Sequence, residues 1–264
     1  MAMRWMCVGL FAALLPAAGR ADEPAKAPAG PPASITLRDR HGHVTPVRTG
    51  FTHTGSGYID IQQPTPDVLV VTMTGVAVAG GHPCKNSAAS MDFDLDQCFE
   101  INFDKLDLKS VKVSLEARVI GLLRSECCCK VSGSAEQAAG CATVGCDGAA
   151  LVTVCAPAHS VAGGENLSVN CHDGPVSATI TKGGKYTLHQ TFHIAAAHGQ
   201  SLLGGKAASA EFAPDPALDP LWISYLEPFH GIGKKDFGLQ VTLRVAEDTN
   251  PPEPVKAPTP DDKK

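Results

Sequence analysis

Long stretches of this 264-residue chain alternate apolar and polar residues with a period of two. The alternation is clearest at 111–119, 186–194 and 237–245, and it gives each stretch one apolar and one polar face. Such a pattern is typical of antiparallel strands with one side on a core. Residues 68–78 are apolar on both faces and predict a central strand that is covered on both sides. We therefore expect an all-β fold, either an antiparallel β-sandwich or a jelly-roll-like arrangement.

The predicted strands follow from this alternation and from the Gly, Pro, Asn and Asp residues that separate the segments. The main strands are expected near 67–78, 91–103, 110–120, 185–195 and 237–246. Shorter strands are expected at 34–38, 57–62, 150–154, 166–171, 176–181 and 221–226.

The N-terminus has the features of a secretory signal peptide. Arg4 precedes a short apolar run, and a small-x-small site ends at Ala21, so residues 1–21 are predicted to be removed. The run is shorter than the roughly 20 residues that span a bilayer, although a short membrane anchor is the alternative. Residues 22–33 are predicted to form a Pro/Ala linker, 34–247 the β-sandwich domain and 248–264 a charged, Pro-rich tail. We expect a periplasmic or extracellular protein without a transmembrane segment.

The charge balance argues against a nucleic-acid partner. Removal of residues 1–21 takes away two arginines and no acid, which leaves 20 basic and 27 acidic residues and a formal charge of −7. Binding to phosphates is driven by Lys and Arg, so an acidic chain of this kind is poorly suited to it.

Nine cysteines follow the signal peptide, and an exported chain is expected to oxidise them in pairs. Seven lie within residues 125–172, a segment without aromatic residues, which we predict to be a disulfide-stapled loop insertion that depends on its cross-links. Cys84 and Cys98 flank a turn-like segment and are predicted to pair, whereas spacing alone does not select partners for the others. Four of the others could instead bind zinc as thiolates: Cys127, Cys129, Cys141 and Cys146. The candidate disulfide residues are Cys84, Cys98, Cys127, Cys128, Cys129, Cys141, Cys146, Cys155 and Cys171.

Histidines and aspartates in the strands suggest metal sites only weakly. His41 and His43 have the i,i+2 spacing that places two imidazoles on one strand face, but no glutamate follows them before Glu100. His189 and His193 are predicted to lie on a strand, where four residues span about 13 Å, too far to share an ion. Three acids, Asp92, Asp94 and Asp96, are expected to face Lys112 and Arg118 of the next strand, with a surface calcium site as the alternative.

The chain contains no G-x-S-x-G, H-E-x-x-H, P-loop or G-x-G-x-x-G motif. We therefore assign no catalytic, cofactor-binding or metal residue and expect no cofactor. Trp222 and Tyr225 are weak candidates for ligand contact, because aromatic rings can stack on sugars. They are also suited to filling the core at the end of a sheet.

Three stretches carry a resemblance: residues 210–231, Gly163-Gly-Glu-Asn-Leu-Ser168 and Gly184-Lys-Tyr-Thr-Leu-His189. They resemble a group of uncharacterised exported bacterial proteins, over about residues 51–246. The resemblance implies an exported, β-rich protein and brings no catalytic residues with it.

These observations favour a non-enzymatic binding or structural β-sandwich of the cell envelope. Two alternatives are a metal-dependent enzyme that uses His41, His43 or the His189 and His193 pair, and a carbohydrate-binding module that uses Trp222 and Tyr225. Either an envelope component or a carbohydrate is the expected partner.

Overall fold

The alternating segments form strands in the computed structural model, which describes residues 33–50, 52–54, 57–81, 85–103, 110–128, 131–181, 183–199, 205–213 and 237–248. Within these ranges the chain contains strands and no helix. The strands are β1 (Ser34–Thr49), β2 (Thr52–Thr54), β3 (Tyr58–Thr65), β4 (Val68–Thr74), β5 (Val76–Gly81), β6 (Ser87–Asn102), β7 (Val111–Ser125), β8 (Cys127–Cys128), β9 (Val131–Gln137), β10 (Gly140–Cys146), β11 (Ala149–Ala156), β12 (His159–Ala162), β13 (Asn166–Ile180), β14 (Gly184–His198), β15 (Gly205–Glu211) and β16 (Gly238–Glu247).

The first sheet, called sheet A, is built on the long strands β6 and β14. β1 pairs with one side of β6, and β14 pairs with the other side of β6 along its whole length. Beyond β14, β10 pairs with the first half of that strand and β9 with the second half. β11 and β12 then pair with β10 and β9, respectively, and the short strand β8 also pairs with β9. All of these pairs are antiparallel.

The second sheet, called sheet B, is built on β7. β13 pairs along one side of β7, while β16 and β15 pair with successive parts of its other side. Next to them lie β4 and β5, and β3 and β2 form the far edge. As in sheet A, all pairs are antiparallel, which is the arrangement that the alternation predicts.

One hydrophobic core contains side chains of both sheets, so the fold is an antiparallel β-sandwich. Phe93 and Phe192 lie side by side on β6 and β14, with ring centroids 5.8 Å apart. Phe192 also packs edge-to-face on Phe212, which follows β15 of sheet B, at 5.4 Å. The apolar face of each long strand is buried here, as in β7, where Val111, Val113 and Leu115 are fully inaccessible. The predicted fold class is confirmed.

The predicted main strands near 91–103, 110–120, 185–195 and 237–246 are present, whereas the predicted central strand 67–78 is divided at Gly75 into β4 and β5. The two short strands predicted at 166–171 and 176–181 form the single bulged strand β13. One predicted neighbour is wrong. The acidic face of β6 was expected to lie beside Lys112 and Arg118 of β7. β6 instead pairs with β1 and β14 in sheet A, whereas β7 is in sheet B. The consecutive strands β6 and β7 thus belong to different sheets, which alternation alone does not reveal. The predicted strand 221–226 lies outside the described residues.

The cysteine-rich segment carries the predicted type of cross-link and is built as strands. Cys141 and Cys155 form a disulfide between directly opposite residues of β10 and β11, with Cα atoms 4.1 Å apart. Asp147 and Gly148, at φ 52° and 79°, form the tight turn between these strands. The segment also contributes small apolar side chains to the shared core: Ala135, Ala142, Val144, Val152, Val154, Ala156, Val161 and Val169. It therefore belongs to the sandwich as well as being cross-linked.

The predicted disulfide between Cys84 and Cys98 is not formed, because Cys98 carries a free thiol. Cys98 lies 11 residues beyond the first residue of β6. Cys84 itself lies outside the described residues.

Gln190 is a polar side chain inside the core, and neither its Nε2 nor its Oε1 has a hydrogen-bond partner among the described residues. It is fully buried on the inner face of β14. Because an unpaired buried amide costs about 1–3 kcal/mol, Gln190→Leu should raise the free energy of unfolding by about that amount. Urea unfolding followed by circular dichroism measures the change.

A second buried glutamine provides the matched control. Gln97 on β6 is 2% exposed, and its Nε2 donates to the carbonyl oxygens of Arg38 and Cys98, at 3.2 and 2.7 Å. Gln97→Leu should therefore destabilise the protein by about 1–3 kcal/mol, since it leaves backbone acceptors unpaired. Destabilisation by both substitutions would contradict the assignment of Gln190 as an unpaired group.

Candidate functional site

The outer face of sheet A brings together histidines and aspartates that are distant in sequence. Three cross-strand rows run from β1 through β6 to β14. In each row an aspartate of β6 lies in the middle and has a polar residue on either side. The rows are His41–Asp96–His189, His43–Asp94–Thr191 and Thr45–Asp92–His193.

Two histidines of β14 are oriented by carboxylates of β6. Nδ1 of His189 donates to Oδ1 of Asp96 at 2.9 Å and lies 3.8 Å from Oδ1 of Asp94. Nδ1 of His193 donates to Oδ1 of Asp92 at 2.5 Å. Since a carboxylate only accepts hydrogen bonds, each Nδ1 carries the hydrogen, and in the neutral form Nε2 is the acceptor. Both imidazoles therefore present a nitrogen away from β6.

A groove of about 920 Å³ lies over one end of this face. Strands β6 and β14 form its floor, with Cys98, Glu100 and Thr187. On one side the irregular part of β1 contributes Arg38 and Asp39, where the register with β6 shifts. On the other side lies the turn between β10 and β11. The lining also includes His41, Asp96, Phe99, Thr143, Gly145, Asp147, Gly148, Ala149, Ala150, Lys185, Tyr186 and His189.

An ion pair crosses the groove floor. Nη2 of Arg38 donates to Oε2 of Glu100 at 2.6 Å. This hydrogen bond lowers the pKa of the Glu100 carboxyl, with a smaller contribution from Lys185, and it raises the pKa of the Arg38 guanidinium. Both groups therefore stay charged, and the groove presents fixed positive and negative charges side by side.

Two stacked, buried aromatic side chains lie beneath the groove. Phe99 is fully buried and Tyr186 is 6% exposed, and their rings stack with centroids 5.9 Å apart. Burial raises the pKa of the Tyr186 hydroxyl. The polar side chains above are thus carried by strands whose other face is packed in the core.

The structure changes the metal sites that were considered from the sequence. The zinc site suggested for Cys127, Cys129, Cys141 and Cys146 lacks one of its four thiolates, because Cys141 forms a disulfide with Cys155. His189 and His193 lie on a strand, as expected, and each has its own aspartate. Within the described ranges, no three His, Cys, Asp or Glu side chains converge on a point at which a metal ion could sit.

The remaining candidate residues are dispersed. Cys129, Trp222 and Tyr225 lie outside the described residues, and Cys127 and Cys128 form the short strand β8. Cys146, at the end of β10, donates to Asp147 at 3.7 Å. Cys171 on β13 packs partly against the core.

Two thiols should differ in reactivity. Cys98 lines the groove and lies 3.8 Å from Oγ1 of Thr187, whereas burial raises the pKa of the Cys171 thiol. Because the thiolate is the nucleophile, iodoacetamide at pH 8 should alkylate Cys171 about tenfold more slowly than Cys98 in the folded protein. Peptide mass spectrometry measures both rates, and Cys98→Ser identifies the fast site. Equal rates in the folded protein would show that Cys171 is not protected.

Arg38, Glu100 and Lys185 are site residues that the sequence did not single out. Their only signal is their place on the polar faces of strands. They meet because β1 and β14 flank β6, which brings together Arg38 and Glu100 from positions 62 residues apart in the sequence.

Comparison with known proteins found no relative: no family profile, curated protein or solved structure matches the chain. The described residues include no helix that is long and apolar enough to cross a membrane.

Proposed function

We propose that the protein is an exported, non-enzymatic binding protein of the cell envelope, and that the groove on sheet A is its ligand site. The groove is the observation that carries the proposal. It is about 920 Å³ in volume, its polar groups are held on paired strands, and it lies in the size range of ligand sites. The disulfide between Cys141 and Cys155 supports an oxidising compartment, which is where a cleaved signal peptide would deliver the chain.

The groove suits a ligand that makes many hydrogen bonds. Arg38 and Lys185 supply donors, and Asp39, Asp96 and Asp147 supply acceptors within the same depression. The Arg38–Glu100 pair and the His189–Asp96 pair orient two of these groups, Arg38 and Asp96, before a ligand arrives, so less ordering is needed on binding. Glycan fragments of the envelope, which combine hydroxyl, amide and charged groups, have this chemistry.

Calorimetric titration with soluble peptidoglycan fragments tests the proposal. Lys185→Ala, at the groove, should weaken binding by about tenfold, because a charged hydrogen bond contributes about 1.5–3 kcal/mol. The matched control is Lys112→Ala, which removes the same side chain from the outer face of β7. It should leave the affinity within about twofold. Binding that Lys185→Ala and Lys112→Ala affect equally, or no binding by the intact protein, would refute the groove as the site for this ligand class.

The two alternative functions suggested by the sequence, carbohydrate binding and metal-dependent catalysis, make different predictions. A carbohydrate surface at Trp222 and Tyr225 lies outside the described residues. It predicts that acrylamide quenches the fluorescence of mature protein, whose one tryptophan is Trp222. A metal-dependent enzyme predicts turnover that a chelator removes.

A further inference from the structure

We propose that β1 and β6 form a surface site for a divalent transition-metal ion, with His41, His43, Asp94 and Asp96 as its ligands. The proposal does not depend on the ligand role of the groove, although His41 and Asp96 also line the groove. Its basis is the register of the two strands, which places His41 directly opposite Asp96 and His43 directly opposite Asp94.

The register gives the four side chains a compact arrangement. Directly opposite residues of an antiparallel pair have Cβ atoms about 4.5–5.5 Å apart. Residues i and i+2 of one strand lie on the same face about 6.6 Å apart. Two imidazoles and two carboxylates therefore project from the corners of a patch of about 5 by 7 Å. Two histidines at i,i+2 and further ligands from the neighbouring strand can surround one ion.

The four side chains are available. His41 and His43 are exposed, and neither makes a hydrogen bond or ion pair with another described residue. Asp94 and Asp96 are 43% and 50% exposed, and among the described residues their side chains contact His189 alone. The side chains do not converge as they stand, so binding requires these exposed side chains to rotate.

His189 would support such an ion. Its Nδ1 holds one oxygen of Asp96 and leaves the other oxygen free. A hydrogen bond of this kind orients a ligating carboxylate, and outer contacts of this type influence metal affinity.

The local charge favours a cation. Asp92, Asp94 and Asp96 follow one another along the outer face of β6, and their direct cross-strand neighbours are histidines and threonines. The arginines of β1 that lie nearest are directed elsewhere: Arg38 pairs with Glu100, and Arg40 donates to the carbonyl of Ile59. A bound divalent ion would reduce the repulsion between these carboxylates.

The ligand types determine the class of ion. Imidazole with carboxylate suits zinc and copper, whereas calcium takes oxygen ligands alone. Zn²⁺ is therefore the first probe, and Cu²⁺ should displace it, since copper lies above zinc in affinity for such ligands.

Zn²⁺ titration of chelator-stripped protein against a chromophoric chelator tests the proposal. The intact protein should bind one Zn²⁺ at this site, and Zn²⁺ should raise the melting temperature. His41→Ala and His43→Ala should each weaken this binding by about tenfold or more. The matched control is His172→Ala, which removes an exposed histidine from sheet B, where it contacts Glu116. That variant should bind Zn²⁺ as the intact protein does.

Circular dichroism of each variant shows that the fold is retained, since His41 and His43 are exposed. Zn²⁺ affinity that is unchanged in His41→Ala and His43→Ala would overturn the proposal, as would the lack of any stoichiometric binding. Equal affinity for Ca²⁺ that survives loss of both histidines would assign the site to the aspartates alone and would also overturn it.

Discussion

Gly238→Ala should destabilise the protein by about 3 kcal/mol or more. Gly238 begins β16 with φ 109°, a conformation that residues with a Cβ rarely adopt and that costs about 1–3 kcal/mol. A Cβ at this position would also overlap the carbonyl oxygen of Met73 on the neighbouring strand β4. Because that oxygen belongs to the backbone, relief requires β16 and β4 to move apart. Thermal unfolding followed by circular dichroism measures the loss.

Gly148 distinguishes the cost of backbone strain from the cost of the steric overlap. It also has a positive φ, 79°, but a Cβ there would have no atom within 4 Å. Gly148→Ala should therefore cost only the backbone strain, about 1 kcal/mol. Equal effects of the two substitutions would mean that the close approach of β16 and β4 is not present in solution.

Phe192→Ala should cost about 3–5 kcal/mol of unfolding free energy, because it removes a large side chain that lies between the two sheets. Phe192 is 2% exposed and touches Phe93 within sheet A and Phe212 beside sheet B. The adjacent residue, Thr191, points to the outer face, so Thr191→Ala should change stability by less than about 0.5 kcal/mol. Urea unfolding compares the two variants. A cost below about 1 kcal/mol for Phe192→Ala would contradict the packing of sheet A on sheet B through this ring.

The strands themselves could be predicted because alternation reports directly which face of a strand is buried. The apolar faces of 111–119, 186–194 and 237–245 are those that enter the core. Partner strands could not be predicted in the same way. The acidic strand β6 was expected beside β7, since the two are consecutive. It lies between β1 and β14 instead. An alternation of apolar and polar residues looks the same whether a strand joins sheet A or sheet B, so it does not identify the neighbouring strand.

The histidines of β1 and the aspartates of β6 likewise could not be recognised as neighbours from the sequence. His41 and His43 stood out by spacing, and Asp92, Asp94 and Asp96 stood out as a row of acids, but each set was judged alone. The register of β1 with β6 makes them neighbours. The acidic partner that the histidines lacked in nearby sequence comes from about 50 residues further along the chain.

The cysteine-rich segment was predicted to be cross-linked but not to contribute to the core. Its lack of aromatic residues suggested too little apolar surface. Val144, Val152 and Val154 nevertheless give β10 and β11 a buried face, because their small side chains pack into the core that the two sheets share. We now expect that reduction of the disulfide alone leaves these strands protected from hydrogen exchange.

The proposed role of the groove is tested most directly by the backbone amide shifts of isotopically labelled protein during titration with soluble peptidoglycan fragments. Binding in the groove predicts concentration-dependent shifts at Cys98, Glu100, Gly145, Lys185 and Thr187. It also predicts unchanged signals from the outer face of sheet B, at Glu116, Arg118 and His172. Shifts confined to sheet B, or none at millimolar ligand, would contradict the proposal.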